Sequence, residues 1–217
     1  MEELKSLLTN PFDEKNDWNG FQDKCKEIAK KLLENYCIEY GEKKYYYFAE
    51  IEFYYYDKER WNDEWNEKTY PRDKKDAGDF FFHYSGVDIC FNSKFEEGKF
   101  GGILIRSLKD KYGNFITGPS VCMLEILNTC FEQKTNPRLV KRKNEGCSFS
   151  EQPIARYGIT YKDKQEDKKL CFYDERLKEK LTNEFEDATW DYSKKKNGEV
   201  KGIKKIIRYY KKRFETQ

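Results

Sequence analysis

The chain has 217 residues, enough for one domain that buries roughly 70% of its unfolded surface without a disulfide or metal staple. Its 42 basic and 40 acidic residues nearly cancel and aromatics reach 17%, which excludes the highly charged, aromatic-poor composition of a disordered chain and points to a core built from Phe and Tyr. No apolar run approaches the roughly 18 residues of a membrane span, and Met1-Glu2-Glu3-Leu4-Lys5 lacks the apolar centre of a signal peptide, so a soluble cytoplasmic protein is expected.

In chain order, residues 21–36 predict a helix, because Ile28, Ala29, Leu32 and Leu33 recur at helical spacing among Lys and Glu. Residues 45–56 are nearly all aromatic or β-branched and predict a strand buried on much of both faces. Residues 57–79 are polar, with Pro71 and Gly78 as breakers, and read as a long excursion of the kind in which function tends to sit. Two further strands follow, at 80–92 and 102–108, joined by a turn around residues 98–101. Gly118-Pro119-Ser120 starts a helix over 121–127, with Pro in its first turn. Residues 156–161 and 169–173 predict a late hairpin, 174–186 a helix, and a basic helix closes the chain. Strands and helices alternate irregularly without an internal repeat, so an α+β fold is expected.

Seven cysteines, Cys25, Cys37, Cys90, Cys122, Cys130, Cys147 and Cys171, include no Cys-x-x-Cys pair, and His83 is the single histidine. Zinc-ligand spacing is absent, so reduced thiols and no metal or cofactor are expected; a thiol nucleophile paired with His83 stays open. Charge is distributed unevenly. Residues 194–213 hold ten Lys or Arg against Glu199 alone, a local charge of +9, leaving −7 on the rest. A basic tail on an acidic body points to a phosphate-bearing partner. Within it Ile203, Ile206, Ile207, Tyr210 and Phe214 follow the stripe of an amphipathic helix. Either the stripe docks the tail and its lysines are merely solvated, or Lys201, Lys204, Lys205 and Arg208 contact nucleic acid.

Three constellations carry chemistry. Glu50 and Glu52, two apart in a strand, share a face. Desolvated among aromatics, such a carboxylate would have a raised pKa suited to proton transfer; on an exposed face it would be ordinary. Residues 82–92 interleave His83, Ser85, Asp88 and Asn92 with aromatics, which by itself is only a strand kinked at Ser85-Gly86. Gly101-Gly102-Ile103-Leu104-Ile105-Arg106 ends an apolar strand in a cation, the signature of an ion pair or a phosphate site.

Taken in order over residues 22–176, these motifs resemble the alkyladenine (3-methyladenine) DNA glycosylases, a family with one compact domain round a curved antiparallel sheet. Glu50-Ile51-Glu52-Phe53-Tyr54 is similar to the family's Glu-Thr-Glu-Ala-Tyr strand. A polar loop, an aromatic strand ending in Asn92, the Gly101–Arg106 strand, the Gly-Pro-Ser helix start, and Ala155-Arg156-Tyr157-Gly158-Ile159 with Lys169-Leu170-Cys171-Phe172-Tyr173 follow in the family's order. The resemblance implies Glu52 as the general base activating water and Arg106 as the arginine near that water and the phosphate. It implies Tyr54 and Phe82 as the rings sandwiching a flipped base, and Asn92 as a pocket gate. The family's pocket histidine falls at Asp63, which when ionised accepts but does not donate, so base preference should differ. Its wedging tyrosine falls at Ser85, with Tyr84 as the substitute if the strand bulges.

The resemblance therefore implies a monomeric DNA-repair hydrolase. Residues 1–193 would be the glycosylase-like domain, and 194–217 a basic helix packed on it or extending from it. The partner would be nucleic acid, DNA rather than RNA, with no membrane. The alternative is a catalytically inactive module of the same fold that binds nucleic acid or a protein; a third is an unrelated α+β domain. The family architecture requires strands 45–56, 80–92 and 102–108 in one antiparallel sheet.

Overall fold

The computed structural model describes residues 2–9, 18–41, 44–57, 76–91, 95–155 and 169–180. Two helices, α1 (Glu2–Thr9) and α2 (Trp18–Asn35), lead into β1 (Tyr36–Tyr40), with no residue between α2 and the strand. The aromatic run becomes a 14-residue strand, β2 (Lys44–Asp57). After it come β3 (Phe80–His83), β4 (Gly86–Cys90), a 3-10 turn (Phe95–Glu97), β5 (Lys99–Asp110) and β6 (Phe115–Thr117). Then follow α3 (Pro119–Gln133), β7 (Arg138–Lys141), β8 (Ile154–Ala155) and β9 (Lys169–Tyr173), and residues 175–180 are helical.

The nine strands of the described residues join one antiparallel sheet in the order β3-β4-β5-β2-β1-β7, with β6 on β5, and β9 on β2 carrying β8. The sheet curls into a half-barrel and the fold is α+β. The segments 45–56, 80–90 and 102–108 lie in this one sheet, but 80–90 is a hairpin rather than a strand. Phe80 pairs with Ile89 and His83 with Gly86 across the two-residue turn Tyr84-Ser85. A Cβ on Gly86 would lie 2.8 Å from Leu104 Cδ1 and 3.1 Å from Pro119 Cβ, so the hairpin closes only on a residue without a side chain.

The core gathers Ile28, Leu32, Phe48, Ile51, Phe53, Val87, Ile89, Ile103, Ile105, Leu108 and Phe172 in one cluster. Each large apolar side chain so buried contributes about 1.5–3 kcal/mol. Phe48 and Ile51, three apart in one strand, would stand on opposite faces of a regular sheet. Register shifts between β2 and β5 at Phe48/Glu50 and Glu50/Ile51 let both join the same core, as bulges do.

The helix predicted over 121–127 extends to Gln133, because Cys122, Ile126 and Thr129 keep one face buried, and it stops at Lys134 in the left-handed conformation (φ 49°). The strand paired with β9 is β8, and residues 156–168 lie outside the described residues, as do Asp63, Asn92 and the whole tail with Lys201, Lys204, Lys205 and Arg208.

One glycine fixes how closely β2 and β5 approach. A Cβ on Gly101 would meet Tyr54 O at 2.4 Å, Tyr55 Cδ2 at 2.9 Å and Phe91 Cδ2 at 3.0 Å. Gly101→Ala is therefore expected to destabilise the fold by about 1–3 kcal/mol through overpacking, read as a lower urea midpoint at unchanged slope.

Candidate active site

Register brings four positions into one row across the sheet: Asp88 opposes Leu104, Leu104 opposes Glu52, and Glu52 opposes Cys171. Directly opposed residues share a face, so this row stands on the side away from Val87, Ile103 and Phe53. The row is nevertheless closed off from solvent: Glu52 is 0% exposed, Asp88 1% and Glu50 2%. Of the two readings open for these glutamates, enclosed or exposed, the enclosed one is observed. β9 covers the edge of β2 beside them, and Tyr173, Cys171 and Ile154 form a small apolar cluster of their own.

Arg106 lies among these carboxylates. Its Nη1 donates to Glu52 Oε2 at 3.1 Å, and its Nε is 3.7 Å from Glu50 Oε1. The Tyr54 hydroxyl donates to the same Glu52 Oε2 at 2.9 Å. Glu50 receives the Ser107 hydroxyl at Oε2, 2.9 Å away, and the Cys171 thiol at Oε1, 3.6 Å away. Two buried carboxylates thus share one buried guanidinium, and the fork of Arg106 reaches both where a lysine ammonium would be a point charge. Of the two meanings open for Arg106, the ion pair is the one observed.

The hairpin adds a second polar pair on the same face. His83 Nε2 is 3.3 Å from Asp88 Oδ1, and His83 Nδ1 is 3.2 Å from the Ser85 hydroxyl. The Phe81 ring stacks on His83 with centroids 5.8 Å apart. Tyr84 is at the tip of the turn, 89% exposed. Phe82 does not join Glu52 and Tyr54: it pairs with Val87 and packs against the core cluster. The structure thus brings Glu52, Arg106 and Tyr54 together and leaves Phe82 on the other face. The Asp88–His83 pair was missed by sequence reasoning, although an Asp between Val87 and Ile89 in a strand was a usable signal.

Farther along, Lys109 Nζ donates to Asn144 Oδ1 at 2.5 Å and is 4.0 Å from Asp174 Oδ2, while Asn144 donates to Leu33 O at 2.8 Å. Burial and the nearby Arg176 hold Lys109 below the usual lysine range, with Asp174 opposing. This network ties α2 and β5 to Asn144 and Asp174. Residues so far apart in sequence gave no motif.

None of the seven cysteines is in a disulfide, and among the described residues no group of three His, Cys, Asp or Glu is placed to hold a metal ion. Burial pushes the Cys37 thiol up to about 11, and burial with Asp174 nearby pushes Cys147 up to about 12. The thiolate is the reactive form. At about pH 8, Cys37 should therefore alkylate about 10²-fold more slowly in the native protein than in urea. The native rate should climb until roughly pH 11. Mass-resolved iodoacetamide labelling checks this, and a fast native Cys37 would contradict it.

Among the described residues no helix is long and apolar enough to cross a membrane. No protein-family model, curated protein or solved structure matches the chain.

Proposed function

We propose that this chain hydrolyses an N-glycosidic bond, releasing a modified base from nucleic acid, as a divergent relative of the alkyladenine DNA glycosylases acting on DNA in the cytoplasm. The observation that supports this is the meeting of Arg106 and Tyr54 on one oxygen of the buried Glu52. Glu52 takes the proton of a water as it attacks the anomeric carbon, the C–N bond breaks, and the sugar passes through an oxocarbenium-like transition state. Arg106 and Tyr54 fix the carboxylate's orientation, and the Tyr54 ring is the platform for the flipped base. Tyr84 at the exposed hairpin tip, rather than Ser85, fills the gap left in the stack.

A second reading, a catalytically inactive module of this fold that binds nucleic acid or a protein, is favoured by one observation. Glu52 is wholly enclosed, and Phe82 stands on the opposite face of the sheet from Glu52 and Tyr54.

The discriminating experiment offers the protein single- and double-stranded DNA and RNA carrying alkylated or deaminated bases and measures base release. Release from any of them supports hydrolysis; binding without release supports the module. If the tail engages phosphates, affinity should fall steeply with salt, by about 0.7–0.9 in log K per phosphate for each unit of log salt. Removal of 194–217 should flatten that slope; an unchanged slope would remove the tail from the interface.

A further inference from the structure

Helix α3 presents an apolar face that nothing among the described residues covers. Cys122, Ile126 and Thr129 point into the core. The other side shows Val121 (52% exposed), Leu124 (54%) and Phe131 (79%), with Asn128 exposed between them. Spaced i, i+3, i+7 and i+10, these residues form one stripe about 15 Å long. A contiguous exposed stripe on one helix marks an interaction surface more than scattered apolar residues do.

Three observations name what covers it. The described chain ends at Lys180, whose Nζ lies 5.6 Å from the centre of the Phe115 ring. Phe115 opens β6, which ends at Thr117 beside Gly118, the N-cap of α3. The described chain thus ends beside β6, near the N-terminal end of this helix, and 37 residues follow. They carry Ile203, Ile206, Ile207, Tyr210 and Phe214, a stripe about 17 Å long on a helix and so of matching length. Charge matches too. Residues 119–133 contain no Lys or Arg, and their acids, Glu125 and Glu132, lie 3.9 and 3.8 Å from Lys44, so the helix itself carries no cation to repel a basic segment laid along it. The tail supplies ten Lys or Arg.

We propose that residues 203–214 dock along the outer stripe of α3, their isoleucines, Tyr210 and Phe214 against Val121, Leu124 and Phe131. On a helix Lys201, Lys205, Arg208 and Lys212 stand opposite that apolar stripe, so docking turns them outward as one basic surface. Tethering makes the contact intramolecular, so a modest stripe suffices where two separate chains would need more. This docking requires only the tail and α3 and is independent of the glycosidic chemistry.

Amide hydrogen exchange on the full-length chain tests it. Residues 203–214 should exchange at least about tenfold more slowly than an unstructured chain. Leu124→Asp, Phe131→Asp and Ile207→Asp should each abolish that protection while exchange in β2 and β5 stays unchanged. Because the described sheet and its core are built without Ile207, its variant separates undocking from unfolding. Unprotected 203–214 in the wild type would overturn the proposal. So would protection that survives all three substitutions, or protection that disappears on dilution, which would make a second copy the occupant.

Discussion

Replacing Arg106 by Met is expected to destabilise the protein by about 3–5 kcal/mol, the usual consequence of removing one partner from a buried ion cluster. Arg106 reaches Glu52 Oε2 at 3.1 Å and lies 3.7 Å from Glu50 Oε1. Both carboxylates are enclosed, so the substitution leaves two buried negative charges without that cation. The desolvation penalty of a buried charge that loses its counter-ion far exceeds that of a neutral amide. The loss should therefore be largely reversed by adding Glu50→Gln and Glu52→Gln to the Met variant, because two neutral amides no longer need a cation. Arg106→Lys should fall between, keeping the charge but losing the fork. Urea midpoints of the four proteins at one pH measure the series. A loss below about 1 kcal/mol for the Met variant would mean that the cluster is effectively solvated.

What could be read in the sequence follows physical reach. β2 was legible because nine of its fourteen residues are aromatic or β-branched, which leaves few alternatives, and α2 because Ile28, Leu32 and Leu33 recur on one face. β1 was not legible: α2 runs into Tyr36 without a breaker, and its strand character comes from pairing with Tyr46 on one side and Leu139 on the other. The hairpin at Tyr84-Ser85 lacks the Asn-Gly signal that announces such turns, and its need for Gly86 arises from Leu104 and Pro119, contacts invisible along the chain.

The same limit divides the site. Glu50, Glu52, Tyr54 and Arg106 stood out as motif positions, yet whether the glutamates faced water was undecidable, since β2 is aromatic on both faces. Burial was settled by β9 coming back from residue 169 to pair with Glu50, Ile51 and Glu52. Phe82 shows how one residue of register matters. Phe81 opposes Asp88 and shares its face, whereas Phe82 opposes Val87 and enters the core. The assignment of Phe82 as the second ring of the base sandwich came from the resemblance, and nothing in the aromatic run 80–82 distinguished its members.

The central claim is that Glu52 is the base of a hydrolytic site. Glu52→Gln keeps the side chain's shape, and its amide oxygen still accepts from Arg106 and Tyr54, but it takes no proton from water. Base release should fall by at least about 10²-fold, the usual contribution of a positioned general base. Affinity for the same oligonucleotide should hold, because the stacking surface of Tyr54 is untouched. The decisive measurement is single-turnover base release by wild type and Glu52→Gln, with enzyme in excess over an oligonucleotide whose modified base the wild type removes, so that product release does not mask chemistry. The predicted result is a slow variant that binds as tightly as wild type. Equal rates for the two proteins, or no release by wild type from any alkylated or deaminated substrate, would contradict it.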